Sequence, residues 1–487
     1  MSSLETAQEP QALRRVAIDP LTRVEGHGKV TILLDEDDHV HQVRLHIVEF
    51  RGFEAFIEGR PYTEVPVTVQ RLCGICPVSH HLAAAKAMDV IAGYGPLTPT
   101  AEKLRRLLHY GQIVQSHALH FFHLASPDLL LGFESEVAKR NIVGVAATFP
   151  DLAKQGILTR KYGQEVIRHI VGKRIHGAGC IPGGMNKALT TAERDLLRGE
   201  IDRIVTWSRE AVGLARRLHE TQPEFYGRFG ESRANMMGLV SADGALDFYH
   251  GGLRAKDADG KTIFAHADYS TYPKLLGERI KSWSYMKFPY IRSLGAEHGW
   301  YRVGPLARVQ IPDFLPTVQA EEERKTFCAV GDGEPVHGAL LTHWARMIEM
   351  LCAAELLRDL LDDPDIVGAE LMADKGPRRE EGIGVIEAPR GTLIHHYRVN
   401  ENGLVSFCNL IVSTTNNNQV MNEAIRAVAA QHLDGRELTE GLLNHIEVAL
   451  RAYDPCLSCA THALGDMPLE VELVAPDGAL VSRARKG

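Results

Sequence analysis

The sequence predicts a mostly α-helical protein, in which long helices form a bundle core and small antiparallel β-hairpins lie at its periphery. Three long stretches place apolar residues on one face of a helix: residues 100–124, 192–220 and 338–361. Two shorter stretches, residues 26–50 and 383–412, alternate apolar and polar residues on either side of a turn. The expected layout is therefore a helix bundle edged by small β elements.

The composition is that of an ordinary globular protein, with 45% hydrophobic and 24% charged residues. A net charge of -8 provides no basic surface for nucleic acid. No apolar run approaches the roughly 18 to 20 residues of a membrane span. Residues 1–20 are polar and acidic and lack the apolar core of a signal peptide. We therefore expect a cytoplasmic protein that binds no nucleic acid.

The first hairpin turns at residues 35–38 and follows the segment Arg23-Val24-Glu25-Gly26-His27-Gly28. The two glycines of this segment permit tight turns that could hold Glu25 against a neighbouring element. From composition alone, a surface turn with a solvated Glu25 is the plainer interpretation.

Helical signals follow in chain order. Pro77 opens a helix that runs through His80 to about Ala92. The predicted helix over residues 100–124 carries four histidines near one face, and we expect them to be packing residues rather than ligands. Residues 222–330 mix turns with short apolar runs and predict a peripheral, partly β section.

In the second half, the apolar helix over residues 338–361 is stopped by Asp363-Pro364. The second hairpin turns at residues 400–403. The segment Ser413-Thr414-Thr415-Asn416 after it is expected to cap the next helix. A last helix, residues 439–453, ends at Asp454-Pro455.

Four of the eight cysteines form two Cys-x-x-Cys pairs, Cys73/Cys76 and Cys456/Cys459, each followed by a histidine. Structural zinc is the default interpretation of two such pairs. Two features count against zinc: the pairs are 456 − 73 = 383 residues apart, and they lie at the ends of long helices rather than in hairpin knuckles. Thiolates also bind nickel and iron, and four sulfurs around two metals leave positions open for a substrate.

Further motifs accompany the cysteines. They are Arg-x-Cys-Gly-x-Cys-x-x-x-His (71–80), Asp-Pro-Cys-x-x-Cys-x-x-His (454–462), Arg-Val-Glu-Gly-His, Arg-Gly-Phe-Glu, Pro-Arg-Gly and Ser-Thr-Thr-Asn. Through these motifs, essentially the whole chain resembles the large, catalytic subunit of nickel–iron hydrogenases, most closely the cytoplasmic NAD-linked group. The resemblance implies a hydrogen dehydrogenase that cleaves H2 reversibly into hydride and proton.

The resemblance also implies the ligands of the metal centre. Cys73 and Cys456 would bind nickel terminally, and Cys76 and Cys459 would bridge nickel to an iron that carries cyanide and carbon monoxide. Cys456 would accept the proton from dihydrogen, and Glu25 would take that proton next.

Other residues would surround this centre. By the resemblance, Arg390 projects over the open metal position and offers donors to cyanide, and Ser413 donates to cyanide as well. Asp454 would hold the arginine, and His80 would hydrogen-bond the sulfur of a bridging cysteine. Many relatives have an acid where this chain has Ser116, so the resemblance leaves open how Arg390 is supported.

A separate magnesium site is implied at Glu54 and His462, with the main-chain carbonyl of Asn409 as a third ligand. The resemblance further predicts a cut at His462–Ala463, or one bond later, which removes residues 464–487 on maturation. The alternative is an ordinary C-terminal strand, because residues 469–474 alternate suitably. By the resemblance, residues 1–463 form a single catalytic domain. Its parts are the N-terminal hairpin (26–50), the helical core (70–220), the peripheral mixed section (222–330) and further helical core with the second hairpin (338–462).

The motif cysteines leave no set with the spacing of an iron–sulfur cluster, so electrons are expected to leave through a small iron–sulfur partner subunit. Diaphorase-type subunits with FMN would reduce NAD, and maturation implies nickel-insertion chaperones and an endopeptidase. Three alternatives remain: a hydrogenase coupled to a deazaflavin or NADP, the quinone-site subunit of respiratory complex I, and a zinc-stabilised scaffold. The complex I subunit is disfavoured because it has lost the cysteine quartet.

Overall fold

The computed structural model describes residues 13–461, 469–474 and 480–486. The α-helices are α1 (Phe53–Ile57), α2 (Val65–Thr68), α3 (Pro77–Ala92), α4 (Pro99–Leu119), α5 (Ser126–Leu131), α6 (Ile142–Thr148), α7 (Pro150–Val171), α8 (Thr191–Thr221), α9 (Pro223–Arg228), α10 (Tyr272–Leu275), α11 (Gly295–His298), α12 (Pro305–Arg308), α13 (Val318–Ala329), α14 (Leu341–Asp362), α15 (Ser413–Asn416), α16 (Asn418–His432) and α17 (Glu440–Ala452).

The strands are β1 (Arg14–Ile18), β2 (Gly28–Leu34), β3 (Val40–Ile47), β4 (Cys180–Ile181), β5 (Gly184–Met185), β6 (Asn235–Val240), β7 (Gly252–Lys256), β8 (Thr262–Ala267), β9 (Leu276–Lys281), β10 (Ser284–Ile291), β11 (Tyr301–Arg302), β12 (Glu381–Ala388), β13 (Gly391–Val399), β14 (Val405–Ile411), β15 (Leu469–Val474) and β16 (Leu480–Lys486).

The long helices form the bundle that the sequence predicts. Helix α14 packs against both α4 and α8, and α7 packs mainly against α4 and also contacts α8. Almost every residue of α14 is buried as far as Leu357, including the polar residues His343, Arg346, Glu349 and Glu355, so all sides of this helix face other parts of the protein. The prediction of a mostly α fold is confirmed, and the observed bounds of α3, α4, α8, α14 and α17 lie close to the predicted ones.

Helix α7 (Pro150–Val171) is not among the predicted helices. Its buried stripe faces α4 and contains Gly156, Thr159 and Gly163 beside its apolar residues. These three positions weaken the apolar periodicity on which a helix prediction depends. They also let the two helices approach closely, since Gly111 of α4 faces Gly163.

Both predicted hairpins have a third strand. Strands β2 and β3 pair antiparallel, with Val30 opposite Leu45, and β1 joins them on the other side of β2. Strands β12, β13 and β14 form an antiparallel sheet with two turns. The turn at residues 400–403 was predicted, whereas Pro389 and Arg390 form a second turn that the hairpin interpretation placed inside a strand. The predicted hairpin with its turn at residues 400–403 is present as β13 and β14, whereas the single long strand that it implied for residues 383–399 is wrong.

The expected capping role of the Ser-Thr-Thr-Asn segment is also wrong. Its residues form α15, and α16 begins after Asn417, which makes no side-chain capping bond. Ser413 Oγ donates to the carbonyl of Gly391 instead (2.7 Å), and Asn416 Nδ2 donates to the carbonyl of Thr392 (2.9 Å). These bonds tie the segment to the start of β13.

The peripheral part contains a four-stranded sheet in the order β11-β6-β7-β8 and the hairpin β9–β10. Near the C-terminus β15 and β16 pair antiparallel, so residues 469–474 do form a strand. Within the described residues, no helix has the length and apolar character that a membrane span requires.

The packing of β12 on α3 depends on Gly384, and this contact generates a prediction. A Cβ at this position would lie 2.0 Å from the carbonyl oxygen of Ala83. Gly384→Ala should therefore push the strand off the helix and cost about 1–3 kcal/mol. Thermal unfolding followed by circular dichroism should show a lower melting temperature.

Gly199→Ala is the matched control, because Gly199 lies on the exposed face of α8 with no atom within 4 Å of the added Cβ. That change should stabilise the helix by about 1 kcal/mol. Equal melting temperatures for the two variants would contradict the close packing of β12.

Candidate metal centre

The two Cys-x-x-Cys pairs meet in the interior of the protein. The Sγ atoms of Cys73 and Cys456 are 3.3 Å apart, those of Cys76 and Cys459 3.9 Å, and those of Cys456 and Cys459 2.9 Å. All four sulfurs lie within 4.8 Å of one another, and each cysteine is buried. In the described part of the chain, no other group of three or more His, Cys, Asp or Glu side chains is close enough to hold a metal ion.

The start of α3 positions the first pair. Pro77 is the first residue of the helix and Cys76 is its N-cap, so the chain turns sharply between the two cysteines. The backbone N–H groups of Ile75 and Cys76 donate to Cys73 Sγ at 3.2 and 3.3 Å. Such donors stabilise a thiolate at this position.

The segment after α17 positions the second pair. Asp454 adopts a left-handed backbone conformation (φ 52°) and ends the helix. The N–H of Cys456 then donates to Thr414 Oγ1 at 3.0 Å. This bond holds the first cysteine of the pair against α15.

Glu25 lies against the second pair, so the interpretation of a solvated surface Glu25 is wrong. Its carbonyl accepts the N–H of Leu457 (2.9 Å) and its carboxylate accepts the N–H of Ser458 (3.2 Å). Gly26 permits the approach, because its φ is 83° and a Cβ there would lie 2.6 Å from the Ser458 nitrogen. The tight turn that the two glycines predict is therefore present.

The four thiols differ in the direction in which their surroundings shift the pKa. Hydrogen bonds from Cys456 hold the pKa of Cys73 well below its usual range and lower the pKa of Cys76 to about 6. Burial raises the pKa of Cys456 and that of Cys459 well above the ordinary value. Because the four titrations are linked, the negative charge belongs to the quartet. A bound cation would neutralise it.

A small cavity adjoins Cys76 and Cys456 and is lined by His80, Arg390 and Ser413 among others. Arg390 Nε donates to the carbonyl of Asp454 (2.5 Å), and Nη2 donates to the carboxylate of Asp454 (3.0 Å). Its Nη1 is buried and has no hydrogen-bond partner in the described part of the chain. Burial raises the pKa of Asp454, against the attraction of Arg390.

His80 belongs to a buried hydrogen-bonded row. Its Nδ1 is 3.1 Å from His395 Nε2, and His395 Nδ1 is 2.6 Å from the hydroxyl of Tyr397. The Nε2 atom of His80 has no hydrogen-bond partner among the described residues. Ser116 Oγ is likewise buried without a partner there, so the described contacts of Ser116 do not replace an acid in supporting Arg390.

These observations fit a nickel–iron centre with diatomic ligands. Four buried sulfurs converge, and thiolates select nickel, iron and zinc. Two buried nitrogen atoms, Arg390 Nη1 and His80 Nε2, lack partners beside the cavity, and an unpaired buried donor costs about 1–3 kcal/mol. A ligand with hydrogen-bond acceptors, such as cyanide, would remove that cost.

The residues of the expected magnesium site are only partly described. Glu54 Oε1 accepts Lys287 Nζ (3.0 Å) and the N–H of Leu410 (2.8 Å). Lys287 Nζ also donates to the side-chain oxygen of Asn409 (2.9 Å). His462 lies outside the described residues. A magnesium ion at Glu54 would therefore share this carboxylate with the lysine ammonium.

Three residues of the site did not emerge from sequence reasoning. Thr414 lies inside the Ser-Thr-Thr-Asn motif, but its contact with Cys456 depends on a fold that brings residues 42 positions apart together. His395 and Tyr397 are two apart and therefore lie on one face of β13. The sequence shows that these two side chains share a face of the strand, but it does not show that this face lies against His80.

Comparison with known proteins decides the family. A family model described as nickel-dependent hydrogenase matches residues 51–136 and 243–462, which include both cysteine pairs. The chain belongs to the nickel-dependent hydrogenase family. A second family model, described as HoxL-like, matches residues 15–50 of this hydrogenase.

The relatives agree over the whole length. The NAD-reducing hydrogenase HoxS subunit beta of Cupriavidus necator is 47% identical, covering 97% of this hydrogenase chain and 100% of the relative. One chain of the F420-non-reducing hydrogenase vhc of Methanococcus voltae is 40% identical, covering 94% of this hydrogenase chain and 96% of its own.

Solved structures agree as well. The crystal structure of an NAD+-reducing [NiFe]-hydrogenase in the H2-reduced state has a TM-score of 0.91 and 57% identity, covering 93% of this chain and 100% of the other. A [NiFeSe]-hydrogenase from Dm. baculatum, 22% identical with a TM-score of 0.75, covers 92% of this chain and 100% of its own and shares the fold. The predicted hydrogenase family and its fold are confirmed.

The contact between Thr414 and Cys456 generates a prediction for this hydrogenase. Thr414→Val leaves the buried N–H of Cys456 without its acceptor, which costs about 1–3 kcal/mol. We expect fewer nickel atoms per chain by elemental analysis and a lower melting temperature.

Thr415→Val is the matched control. Thr415 is the next residue and equally buried, but its hydroxyl has no partner among the described residues. Its nickel content and melting temperature should not fall. A loss of nickel in both variants would show that packing, rather than the Cys456 hydrogen bond, explains the effect.

Proposed function

We propose that this chain is the hydrogen-cleaving subunit of an NAD-linked nickel–iron hydrogenase. The observation that carries the proposal is the convergence of Cys73, Cys76, Cys456 and Cys459 within 4.8 Å in a buried site. Cys73 and Cys456 would hold the nickel, and Cys76 and Cys459 would hold both the nickel and an iron that carries cyanide and carbon monoxide. When bound, this centre supplies the heterolytic cleavage of H2.

The chain's own groups would carry the proton away. Cys456 Sγ is the proposed acceptor, and Glu25 is the proposed base beside it, because its backbone pairs with that of Cys456. Ser458 then bridges two carboxylates: its N–H donates to Glu25 and its Oγ to Glu49 (3.3 Å). His27, which is 75% exposed, lies 3.2 Å from Glu49. These contacts place a second carboxylate, Glu49, and the exposed imidazole of His27 close to Glu25.

Four side chains would surround the centre, and two of them, Arg390 and Ser413, would donate to the diatomic ligands. Arg390 Nη1 faces no other partner in the described chain and is the proposed donor to cyanide, with Asp454 holding the guanidinium. His80 would donate from Nε2 to the sulfur of Cys76. The hydroxyl of Ser413 now donates to Gly391, so it would exchange that bond for one to cyanide.

Two further proposals concern the C-terminal part. Magnesium would bind Glu54, the carbonyl of Asn409 and His462, and elemental analysis of the purified chain tests this. The chain would be cut at His462–Ala463 or one bond later, by a maturation endopeptidase, after nickel-insertion chaperones have acted. A C-terminal mass that still includes residues 464–487 in active protein would oppose the cut.

Glu25→Gln tests the proton route. The amide cannot accept a proton, so H2 oxidation should fall about 100-fold or more, while nickel content and the infrared bands of cyanide and carbon monoxide remain. Exchange of D2 with solvent protons should fall in parallel. Glu36→Gln, in the exposed turn of the first hairpin, is the control and should match the unaltered protein.

Activity close to the unaltered level in Glu25→Gln would remove Glu25 from the route. Absence of cyanide and carbon monoxide bands in the unaltered protein would overturn the proposed centre itself. Zinc without nickel in the elemental analysis would favour a structural scaffold.

The proposed electron acceptor is NAD. Electrons would reach it by way of a small iron–sulfur subunit, followed by diaphorase-type subunits that hold FMN. The support is the relative named as an NAD-reducing hydrogenase, which aligns over its full length. The complex purified with this chain should reduce NAD+ with H2 faster than NADP+ or a deazaflavin. Preference for a deazaflavin would contradict the proposed NAD coupling.

A further inference from the structure

A second arginine lies beneath the turn that carries Arg390. Arg308 is the last residue of α12 and is fully buried. Its guanidinium donates to the carbonyl of Ala388 (2.6 Å) and to that of Pro389 (3.0 Å). These carbonyls belong to the two residues directly before Arg390, so Arg308 holds the backbone of the turn.

Two buried carboxylates fix this guanidinium. Nε and Nη2 of Arg308 each donate to one oxygen of Glu349 at 2.6 Å, and Nη1 donates to Glu387 at 3.1 Å. With the two carbonyls, all five N–H groups of the guanidinium are used. Both glutamates have no exposed surface. The arginine therefore has one orientation in which its donors are satisfied.

The carboxylates are themselves anchored on separate elements. Glu349, on α14, also accepts His117 Nε2 from α4 (3.0 Å). Glu387, in β12, accepts the N–H of Leu239 (2.9 Å) and the hydroxyl of Thr392 (2.7 Å). The network thus links the helix bundle to the β12–β13 turn.

Arg390 is consequently held at both ends. Asp454 binds its side chain, and Arg308 binds the backbone just before it. We propose that Arg308, oriented by Glu349 and Glu387, is a positioning residue that aims the free Nη1 of Arg390 into the cavity beside the cysteines. The inference rests on the proposed function, because that cavity is where the diatomic ligands would lie.

Arg308→Lys is the decisive variant. Lysine keeps the positive charge, but one ammonium cannot reach two carboxylates and two carbonyls at once. In the nickel-loaded complex we expect kcat for H2 oxidation to fall about 10- to 100-fold. KM for H2 and the nickel content should remain within about twofold, since the ligands are untouched. The infrared bands of cyanide should shift, because the donor from Arg390 moves.

Arg105→Lys is the matched control. Arg105 is equally buried and also bonds a carboxylate and two carbonyls, namely Asp89, Ile181 and Gly184. None of these partners borders the cavity. This variant should lose thermal stability while kcat per nickel and the cyanide bands stay unchanged.

Glu387→Gln is the second variant, in case Arg308→Lys does not fold. Its single amide oxygen cannot accept from both Arg308 Nη1 and the N–H of Leu239, and the negative charge opposite Arg308 is lost, so the cyanide bands should shift in the same direction by a smaller amount. Unmoved bands and unchanged kcat in a folded, nickel-loaded variant would overturn the positioning role. Absence of the bands in the unaltered protein would instead overturn the proposed function, so the two failures are distinguishable.

Discussion

The structure depends on one constraint: sulfur atoms from segments 383 residues apart must lie within 4.8 Å of one another, away from water. Neither short motif can meet this constraint alone. Helix α3 begins at the first pair and packs against β12 and β13, and α17 ends just before the second pair and packs against α16. The helical core between them sets the distance from one pair to the other.

The N-terminal segment completes the same junction. Arg451, near the end of α17, donates to the carbonyl and hydroxyl of Thr22 and to the carboxylate of Asp128. Arg23 binds Asp128 as well (2.6 Å). Breaking a buried pair of this kind costs about 3–5 kcal/mol, because the remaining charge is left uncompensated. These contacts bring Glu25 to the second cysteine pair, although the two are more than 400 residues apart in the chain.

Much of the fold and of the site could be predicted from the sequence. The long helices carry apolar residues at helical spacing, and Pro77 and Asp454-Pro455 mark a helix start and end next to the cysteines. The cysteine spacing by itself left zinc open, and only the accompanying motifs pointed to a hydrogenase. Helix α7 was not predicted, because glycine and threonine lie in its buried stripe. Strand β1 and the Pro389–Arg390 turn were not predicted, because local alternation does not reveal how many strands pair.

What the sequence by itself determined is local: which residue types lie at helix starts, turns and cysteine pairs, and hence which family of metal chemistry the chain can support. The tertiary structure alone decided that Glu25 is docked rather than solvated, that Thr414 holds Cys456, and that Arg308 lies beneath Arg390. The physical reason is that hydrogen bonds act over about 3 Å in space, whereas these partners are separated by 42 to more than 400 residues along the chain.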